Sequence, residues 1–271
     1  MMETTTILVS RDERGVGTVT LNRPDLHNAF DDVLIREMTE SLQAFGRDDS
    51  VRVVVLRSTG KSFSAGADLN WMKRMATYSW QQNYQDSLGL ATLMQSLGQM
   101  KKPTVGVVQG AAFGGGVGLV ACCDIALAAN TASFCLSEVK LGLIPSVISP
   151  YVIAAIGARA AKRYFVTAER FDANTALRLG LVHDLYAPEQ LDAEADKLIT
   201  TLLANGPKAV QEAKKLIARV AHQPIDEDLV RFTAQKIADI RASAEGREGV
   251  TAFLEKRAPN WDVKESTELD T

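Results

Sequence analysis

The sequence predicts an α/β fold followed by a helical region. Short apolar runs alternate with helical segments early in the chain, and from about residue 160 the pattern is almost wholly helical. Two segments, VVVLRSTGKSFSAGADL and VGVVQGAAFGGGVGL, repeat one arrangement: an apolar strand, a turn of very small residues and a helix. We therefore expect a core domain over residues 1–200 and a helical region over residues 201–271. The apolar stripes of that second region require a partner surface, either the core or an oligomer interface.

Local patterns predict the individual elements in order. TILVSRDERGVGTVTLNRP is typical of a hairpin, and VRVVVLRSTG of a buried strand. The helix between them, DDVLIREMTESLQAFGRDD, is expected to end at Gly46 and to bury Val33, Leu34, Met38, Leu42 and Phe45. GKSFSAGADLNWM is predicted to be a loop, followed by one helical stretch to about Met100. Next come the strand KPTVGVVQG, the short helix GGGVGLVACCD and the strand IALAAN.

The second half is expected to contain five helices and a polar tail. The helical segments are ANTALRLGLVHDL, EQLDAEADKLITTLLANGP, PKAVQEAKKLIARVAH, EDLVRFTAQKIADIRAS and REGVTAFLEKR. The first of these is expected to end at Gly180, because glycine readily ends a helix. The tail DVKESTELDT is expected to be disordered because it is polar and charged.

Composition excludes several classes of protein. The net charge of −3 gives no electrostatic footprint for nucleic acid or an anionic membrane. The cysteines Cys122, Cys123 and Cys135 lie in apolar surroundings without metal-ligand spacing, so we expect reduced thiols in the core. No apolar run reaches the roughly 18 residues of a membrane span, and the N-terminus resembles neither a secretory nor a transit signal. These features favour a cytoplasmic protein.

The two small-residue turns are candidates for chemistry. Small residues at a helix start leave backbone N–H groups exposed at the positive end of the helix dipole. One such turn is equally well explained by tight packing. Two turns in one domain suggest N–H donors that converge on one point, which is the arrangement of an oxyanion hole.

Five motifs together resemble the crotonase, or enoyl-CoA hydratase/isomerase, family. They are SFSAGADL (62–69), GAAFGGGVGL (110–119), CLSEVKLGLIP (135–145), TLNRPDLHNAF near the start and EGREGVTAFLEKRAPNW near the end. The resemblance covers about residues 6–261. It implies a spiral of ββα units in two roughly perpendicular sheets, with C-terminal helices that assemble a homotrimer or a dimer of trimers. It also implies an acyl-CoA substrate, with no separate cofactor and no metal.

The resemblance assigns roles residue by residue. The N–H groups of Ala67 and Gly115 would bind the thioester oxygen and stabilise an enolate, while Glu138 would exchange a proton with the carbon next to the thioester. A Cβ at Gly115 would stand in the way of the thioester. Substrate or CoA contacts are assigned to His27, Ala29, Ala65, Gly66, Asp68, Leu69, Gly114, Gly118, Phe253 and Lys256. The last two would reach the CoA nucleotide, often in a neighbouring subunit.

Gly118 departs from the family pattern, since two-carboxylate hydratases carry a glutamate there that activates water. Together with this departure, the stretch FCLSEVKLGLIPSVISPYV most resembles hydratases of branched, carboxylated enoyl-CoAs. We expect hydration of 3-methylglutaconyl-CoA. Alternatives are hydration of isohexenylglutaconyl-CoA, isomerisation of an enoyl-CoA, decarboxylation through the same enolate and, from another class, RNA binding, against which the acidic charge argues. Glycine at 118 could make room for the acyl group or could serve packing alone.

Overall fold

The computed structural model of the protein describes residues 6–261, and within that range the chain forms two mixed β-sheets and ten α-helices. The strands are β1 (Ile7–Arg11), β2 (Val16–Leu21), β3 (Val53–Ser58), β4 (Ser62–Ser64), β5 (Thr104–Val108), β6 (Ala111–Phe113), β7 (Ile125–Ala129), β8 (Ser133–Cys135), β9 (Phe171–Asp172) and β10 (Asp184–Tyr186). The helices are α1 (Asp32–Arg47), α2 (Leu69–Met75), α3 (Trp80–Gly98), α4 (Gly115–Cys122), α5 (Ser149–Thr167), α6 (Ala173–Leu179), α7 (Leu191–Leu203), α8 (Pro207–Val220), α9 (Glu227–Ala242) and α10 (Ala244–Leu254). The predicted disordered tail lies outside the described residues.

From β3 to β8, consecutive strands alternate between the two sheets. The large sheet has the order β1-β2-β3-β5-β7-β10 and the small sheet the order β4-β6-β8-β9. The pairs β3–β4, β5–β6 and β7–β8 each place one strand in the large sheet and the next in the small one, before the chain turns into helix. Strands β4, β6 and β8 run parallel to one another. This repetition confirms the α/β class and the ββα arrangement.

The large sheet is buried on both faces around β3. Val54 and Leu56 face the main core, while Val53 and Val55 pack with residues of α7 on the other side. Alternate side chains of a strand point to opposite faces, so a strand covered on both sides requires a continuous apolar run. The sequence VVVL meets that requirement, and the predicted buried strand is confirmed.

The segment predicted as a loop is more ordered than expected. GKSFSAGADLNWM contains β4 and the beginning of α2, so the prediction of a loop was wrong over these residues. A three-residue strand gives too short an apolar alternation to be recognised from sequence. The helical stretch to Met100 also divides in two. Ser79 begins α3 through a reciprocal capping box with Gln82, which separates this helix from α2.

Other predictions hold with small corrections. Helix α1 extends to Arg47, one residue beyond Gly46, and it buries Ile35 where Val33 was expected. Helix α6 ends at Gly180, whose φ of 82° is in the left-handed region. The three cysteines are buried and free, as predicted, and burial raises the pKa of each thiol. Across residues 6–261, no helix is long and apolar enough to cross a membrane.

Candidate active site

Three turns meet at one edge of the small sheet. Ala67 lies in the turn after β4, Gly115 begins α4 directly after β6, and Glu138 follows β8. Because these three strands are parallel neighbours, their carboxyl ends lie at the same edge. The topology therefore brings together the two predicted oxyanion donors and the predicted acid/base residue.

Distances around Gly114 show how closely these turns approach. A Cβ built on Gly114 would lie 3.2 Å from Glu138 Oε1 and 3.9 Å from the Cα atom of Gly66. Gly114 has a φ of 51° and a ψ of −119°, a conformation that side chains with a Cβ rarely adopt. Glycine here allows the backbone of one turn to approach both the other turn and the carboxylate.

The two predicted donor amides have no acceptor within the described part of the chain. The residues on either side of Ala67 hydrogen-bond to Phe30, but the Ala67 N–H makes no such bond. Gly115 is the first residue of α4, where N–H groups have no partner inside the helix. The helix dipole adds partial positive charge at that end. The arrangement can stabilise negative charge that develops on a bound oxygen.

Phe30 holds the two turns together, and sequence reasoning missed this role. Its N–H donates to Gly66 O at 2.6 Å, and its carbonyl accepts from Asp68 N at 2.7 Å, on both sides of Ala67. Its ring lies against α4, where a Cβ built on Gly115 would come within 3.0 Å. The Phe30 ring alone therefore accounts for a glycine at position 115, and the approach of a thioester there stays a prediction. The only sequence signal was the motif HNAF.

Asn28 fixes the segment that carries Phe30. It is fully buried and has a φ of 54°. Its Nδ2 donates to the carbonyls of Thr59 and Ser62 at 2.8 Å, and its Oδ1 accepts from the Arg23 N–H at 2.8 Å. Its own carbonyl accepts from Ser64 Oγ at 2.9 Å. Every polar group of the side chain is used inside the protein, so Asn28 positions the turns without reaching a ligand.

Asp68 is also committed to internal contacts. Its Oδ1 accepts from the N–H groups of Asn70 and Trp71 at the start of α2, and its Oδ2 accepts from Arg23 at 3.1 Å. Arg23 also pairs with Asp31 at 3.0 Å. Burial alone would raise the pKa of Asp68, but the two N–H groups and the guanidinium together lower it. The Asp68 carboxylate therefore stabilises the turn, and the assignment of Asp68 to CoA binding stays a prediction.

Glu138 combines burial with a free oxygen. Its Oε2 is buried and has no hydrogen-bond partner among the described residues. Burial raises the pKa of the carboxyl group above its usual value. A carboxyl group with a raised pKa can both accept and donate a proton close to neutral pH. Glu138 thus has the environment expected of a general acid/base.

Gly118 does not leave open space. A Cβ built on it would overlap Ile148 Cγ2, and it would lie 2.8 Å from Ile148 Cβ and 3.3 Å from Met94 Cε. Both neighbours are buried core residues. The interpretation that glycine makes room for an acyl group was therefore wrong, while the assignment of Gly118 to substrate contact stays a prediction. Packing against Ile148 explains the glycine.

The remaining predicted contacts around the first turn divide by exposure. Ala65, Leu69 and His27 are exposed near Ala67, and His27 Nδ1 lies 3.1 Å from Ser62 Oγ. Ala29 is buried, and its carbonyl accepts from Arg23 Nη1 at 2.7 Å. The exposed three can be reached by a ligand, whereas Ala29 supports the turn from inside.

Phe253 and Lys256 lie elsewhere in the same chain. Phe253 is 82% exposed at the end of α10, and this helix packs on α8 and α9. Arg52, directly before β3, donates to the carbonyls of Leu203, Asn205 and Trp261, which places the end of α7 and the segment after α10 beside the start of β3. The structure of one chain does not bring the two residues to the turns, and their role in a neighbouring subunit stays a prediction.

No group of three or more His, Cys, Asp or Glu residues within residues 6–261 is arranged to hold a metal ion. The candidate site consists of backbone amides, one carboxyl group and the residues that hold them. The sequence predicted the residues that the topology brings together, and their roles as donors and as acid/base stay predictions. Sequence reasoning missed the supporting roles of Phe30, Asn28 and Arg23.

Comparisons with known proteins identify the family of this chain. Residues 11–264 match the model of the enoyl-CoA hydratase/isomerase family. An enoyl-CoA hydratase from Shewanella pealeana is 49% identical, with a TM-score of 0.92, and the match covers 96% of this chain and 97% of that one. A crystal structure from Legionella pneumophila, named for the same family (crotonase), is 51% identical, with a TM-score of 0.92 and coverage of 94% and 98%.

A more distant relative supports the same assignment. The short-chain-enoyl-CoA hydratase of Clostridium acetobutylicum is 31% identical over 260 residues, which cover 94% of this chain and 97% of the relative. The family match, the shared crotonase fold and the convergence of the turns all lead to one conclusion. This chain belongs to the enoyl-CoA hydratase/isomerase family and is an enzyme of that family.

Proposed function

We propose that the protein hydrates a branched, carboxylated enoyl-CoA, with 3-methylglutaconyl-CoA as substrate and 3-hydroxy-3-methylglutaryl-CoA as product, a step of leucine breakdown. The observation that carries the proposal is the combination of one buried carboxyl group, Glu138, with hydrocarbon where a second acid could have stood. Ile148 and Met94 occupy the space beside Gly118. Such a site has no second acid at position 118, and a carboxylate of the substrate can supply a further polar group.

The chemistry follows from the positions of the groups. The thioester oxygen accepts hydrogen bonds from the amides of Ala67 and Gly115, which stabilise the enolate by about 3 kcal/mol for each donor. Glu138 takes a proton from water as the water oxygen bonds to C3 and the C2–C3 π electrons move into the enolate. Glu138 then returns a proton to C2, which restores the thioester carbonyl. Water is added across the double bond, and the enzyme ends in its starting protonation state.

A carboxylated acyl chain needs a cation nearby, and Arg170 is the best candidate. It precedes β9, which pairs antiparallel with β8 through Phe134 and Phe171. Arg170 therefore lies across from Cys135 at the site edge of the small sheet. Its guanidinium carbon lies 4.7 Å from the centre of the Phe113 ring, directly before the glycine turn. Within the described part of the chain Arg170 makes no ion pair, so its charge is available to an anionic substrate group.

A panel of acyl-CoAs tests the proposal. Loss of the conjugated-enoyl absorbance is followed for 3-methylglutaconyl-CoA, isohexenylglutaconyl-CoA, 3-methylcrotonyl-CoA and crotonyl-CoA. We expect the highest kcat/KM for 3-methylglutaconyl-CoA. A preference for crotonyl-CoA would show that the single carboxylate does not select a carboxylated substrate.

Two arginine variants sharpen this test. Arg170→Gln should raise KM for 3-methylglutaconyl-CoA. KM for 3-methylcrotonyl-CoA, which lacks the distal carboxylate, should stay unchanged. Arg163→Gln is the matched control, because Arg163 also lies over a ring, that of Tyr164, but already pairs with Glu169. Equal effects of both variants on both substrates would remove Arg170 from substrate recognition.

Isomerisation is the second candidate, and the presence of a single carboxyl group favours it. One glutamate can remove a proton at one carbon of the acyl chain and return it at another without any water. A 3-enoyl-CoA substrate distinguishes the two reactions, since isomerisation increases the conjugated-enoyl absorbance that hydration removes.

We further propose that the chain acts as a homotrimer or a dimer of trimers and needs no separate cofactor. The exposed apolar side chains of α10, Val250, Phe253 and Leu254, support a subunit contact there. Lys256 follows the same helix and would then reach the CoA of a neighbouring subunit. Sedimentation with and without a CoA thioester tests this assembly.

A further inference from the structure

Helices α2 and α3 are joined by a hydrogen bond that the proposed chemistry does not use. Trp71 Nε1 donates to Asp86 Oδ1 at 3.0 Å. The Trp71 ring is only 4% exposed and belongs to the main core, whereas Asp86 is half-buried on α3. A carboxylate that accepts from an indole N–H in a partly dry environment makes a strong, directional contact.

The chain of contacts continues from Trp71 to the oxyanion donor. The Trp71 N–H donates to Asp68 Oδ1 at 3.2 Å, and the Asp68 N–H donates to Phe30 O at 2.7 Å. Asp68 directly follows Ala67. Helix α2 has only seven residues, too few to be stable on local bonds alone, so its position depends on such tertiary contacts.

Charged groups from each neighbouring helix face Asp86. Burial raises the pKa of its carboxyl group, the Trp71 hydrogen bond lowers it, Asp32 at the start of α1 raises it and Arg74 of α2 lowers it. Arg74 also pairs with Asp32 at the surface. Asp86 thus lies where α3 meets α2 and the beginning of α1.

We propose that Asp86 is a positioning residue: by holding the indole of Trp71, it fixes α2 and, through Asp68, the direction of the Ala67 amide. The inference depends on the proposed function only in that Ala67 donates to a thioester oxygen. It does not depend on the acyl group. Losing one oxyanion donor typically costs 10²- to 10³-fold in kcat, and a donor displaced by about 1 Å costs up to about 10²-fold.

The variants Asp86→Ala, Asp86→Asn and Trp71→Phe test the inference. Asp86→Ala and Trp71→Phe each sever the bond, and we expect kcat to fall about tenfold to a hundredfold with KM changed less than threefold. The double variant should be no slower than the slower single one, because both remove the same contact. Asp86→Asn keeps an acceptor oxygen and should retain most of the activity. Gln43→Ala is the control: it removes a bond from α1 to Ser96 of α3 and should leave kcat unchanged.

A spectroscopic measurement separates positioning from general stability. A cinnamoyl-CoA with an electron-donating ring substituent absorbs at longer wavelength when its thioester carbonyl is polarised. Bound to the wild type and to Gln43→Ala it should shift to the red, and bound to Asp86→Ala or Trp71→Phe it should shift much less. If both variants keep the full shift and kcat while only Tm falls, the inference is wrong.

The remaining outcomes are also decisive. Loss of kcat with a full red shift in Asp86→Ala would mean that Asp86 acts on the reaction directly, which overturns a positioning role. If Asp86→Ala does not fold, Trp71→Phe and Asp86→Asn still carry the test, because phenylalanine keeps an apolar ring in the core and asparagine keeps the size and one acceptor oxygen of the aspartate. The absence of a red shift in the wild type would refute the assignment of Ala67 and Gly115 as oxyanion donors. A preference for another acyl group would contradict only the proposed substrate and not the role of Asp86.

Discussion

The side chain of Ile148 fills the space that a Cβ at Gly118 would need, and the substitution Gly118→Ala tests this directly. Replacing a glycine inside a helix with alanine normally stabilises it by about 1 kcal/mol. The new Cβ, however, would overlap Ile148 Cγ2 and lie 2.8 Å from Ile148 Cβ. Overpacking of a dense core costs about 1 to 3 kcal/mol. We therefore expect Gly118→Ala to lower the free energy of unfolding by up to about 2 kcal/mol.

Ile148→Ala should relieve most of that effect. Truncation of this buried side chain alone should cost about 2 to 5 kcal/mol. In the truncated protein the overlap with Cγ2 is gone, but the Cβ that alanine keeps at position 148 still lies 2.8 Å from the added methyl group, so Gly118→Ala should then be close to neutral. The coupling between the two sites is the difference, up to about 2 kcal/mol.

Urea unfolding at one fixed protein concentration measures the four free energies, because an oligomer's apparent stability depends on concentration. Gly89→Ala is the matched control: Gly89 lies inside α3, and a Cβ there would meet only Ile35 Cγ2 at 3.8 Å. It should stabilise in either background. Additivity of the two substitutions within about 0.5 kcal/mol would refute the steric argument, as would a Gly118→Ala protein stabilised as much as the control.

Three further outcomes follow from the site. Glu138→Gln should lower kcat at least about 10²-fold with little change in KM, which activity assays test. Because burial raises the folded-state pKa of Glu138, the variant should also be more stable than the wild type above that pKa. This difference in stability should vanish below the unfolded-state pKa of about 4.3, which melts across pH test. Lys256→Ala should raise KM for CoA thioesters more than it lowers kcat, and unchanged KM with a lower kcat would contradict phosphate binding. Asn28→Ala should cost about 2 kcal/mol or more in unfolding free energy, because the Arg23 N–H and the Thr59 carbonyl lose the partner that Asn28 gives them and the Ser62 carbonyl loses one of its partners. A loss below about 1 kcal/mol would contradict this.

The sequence predicted the parts of the site that depend on backbone shape. Glycines and small residues after a strand indicate exposed amides, and that signal placed Ala67 and Gly115 correctly at one edge. It could not predict Phe30, because a phenylalanine in a loop has no pattern of its own and acts through two backbone bonds and one ring contact. Its role exists only once β4 and β6 are neighbours.

The same limit explains the error at Gly118. A glycine in the sequence shows that a side chain is missing but not what fills its place, and the residue that fills it, Ile148, is 30 positions away. Fold class and most helices were predictable because periodicity is local. The short strands β4, β6 and β8 were not predicted, since three residues carry no periodicity and these strands form only by pairing with one another.

Hydrocarbon beside Gly118 restricts how water can be held in a hydration reaction. Ile148 and Met94 offer no hydrogen bond, so a water that attacks C3 must find its acceptor elsewhere in the site. Glu138 Oε2 is buried without a partner among the described residues, while Oε1 lies on the side of Gly114. One oxygen of the carboxyl group could therefore accept from water while the other delivers the proton to C2, which places both additions on the same face of the double bond. We expect hydration in deuterium oxide to give a single, syn-deuterated product, and a product with anti addition would require a second acid that lies outside this arrangement.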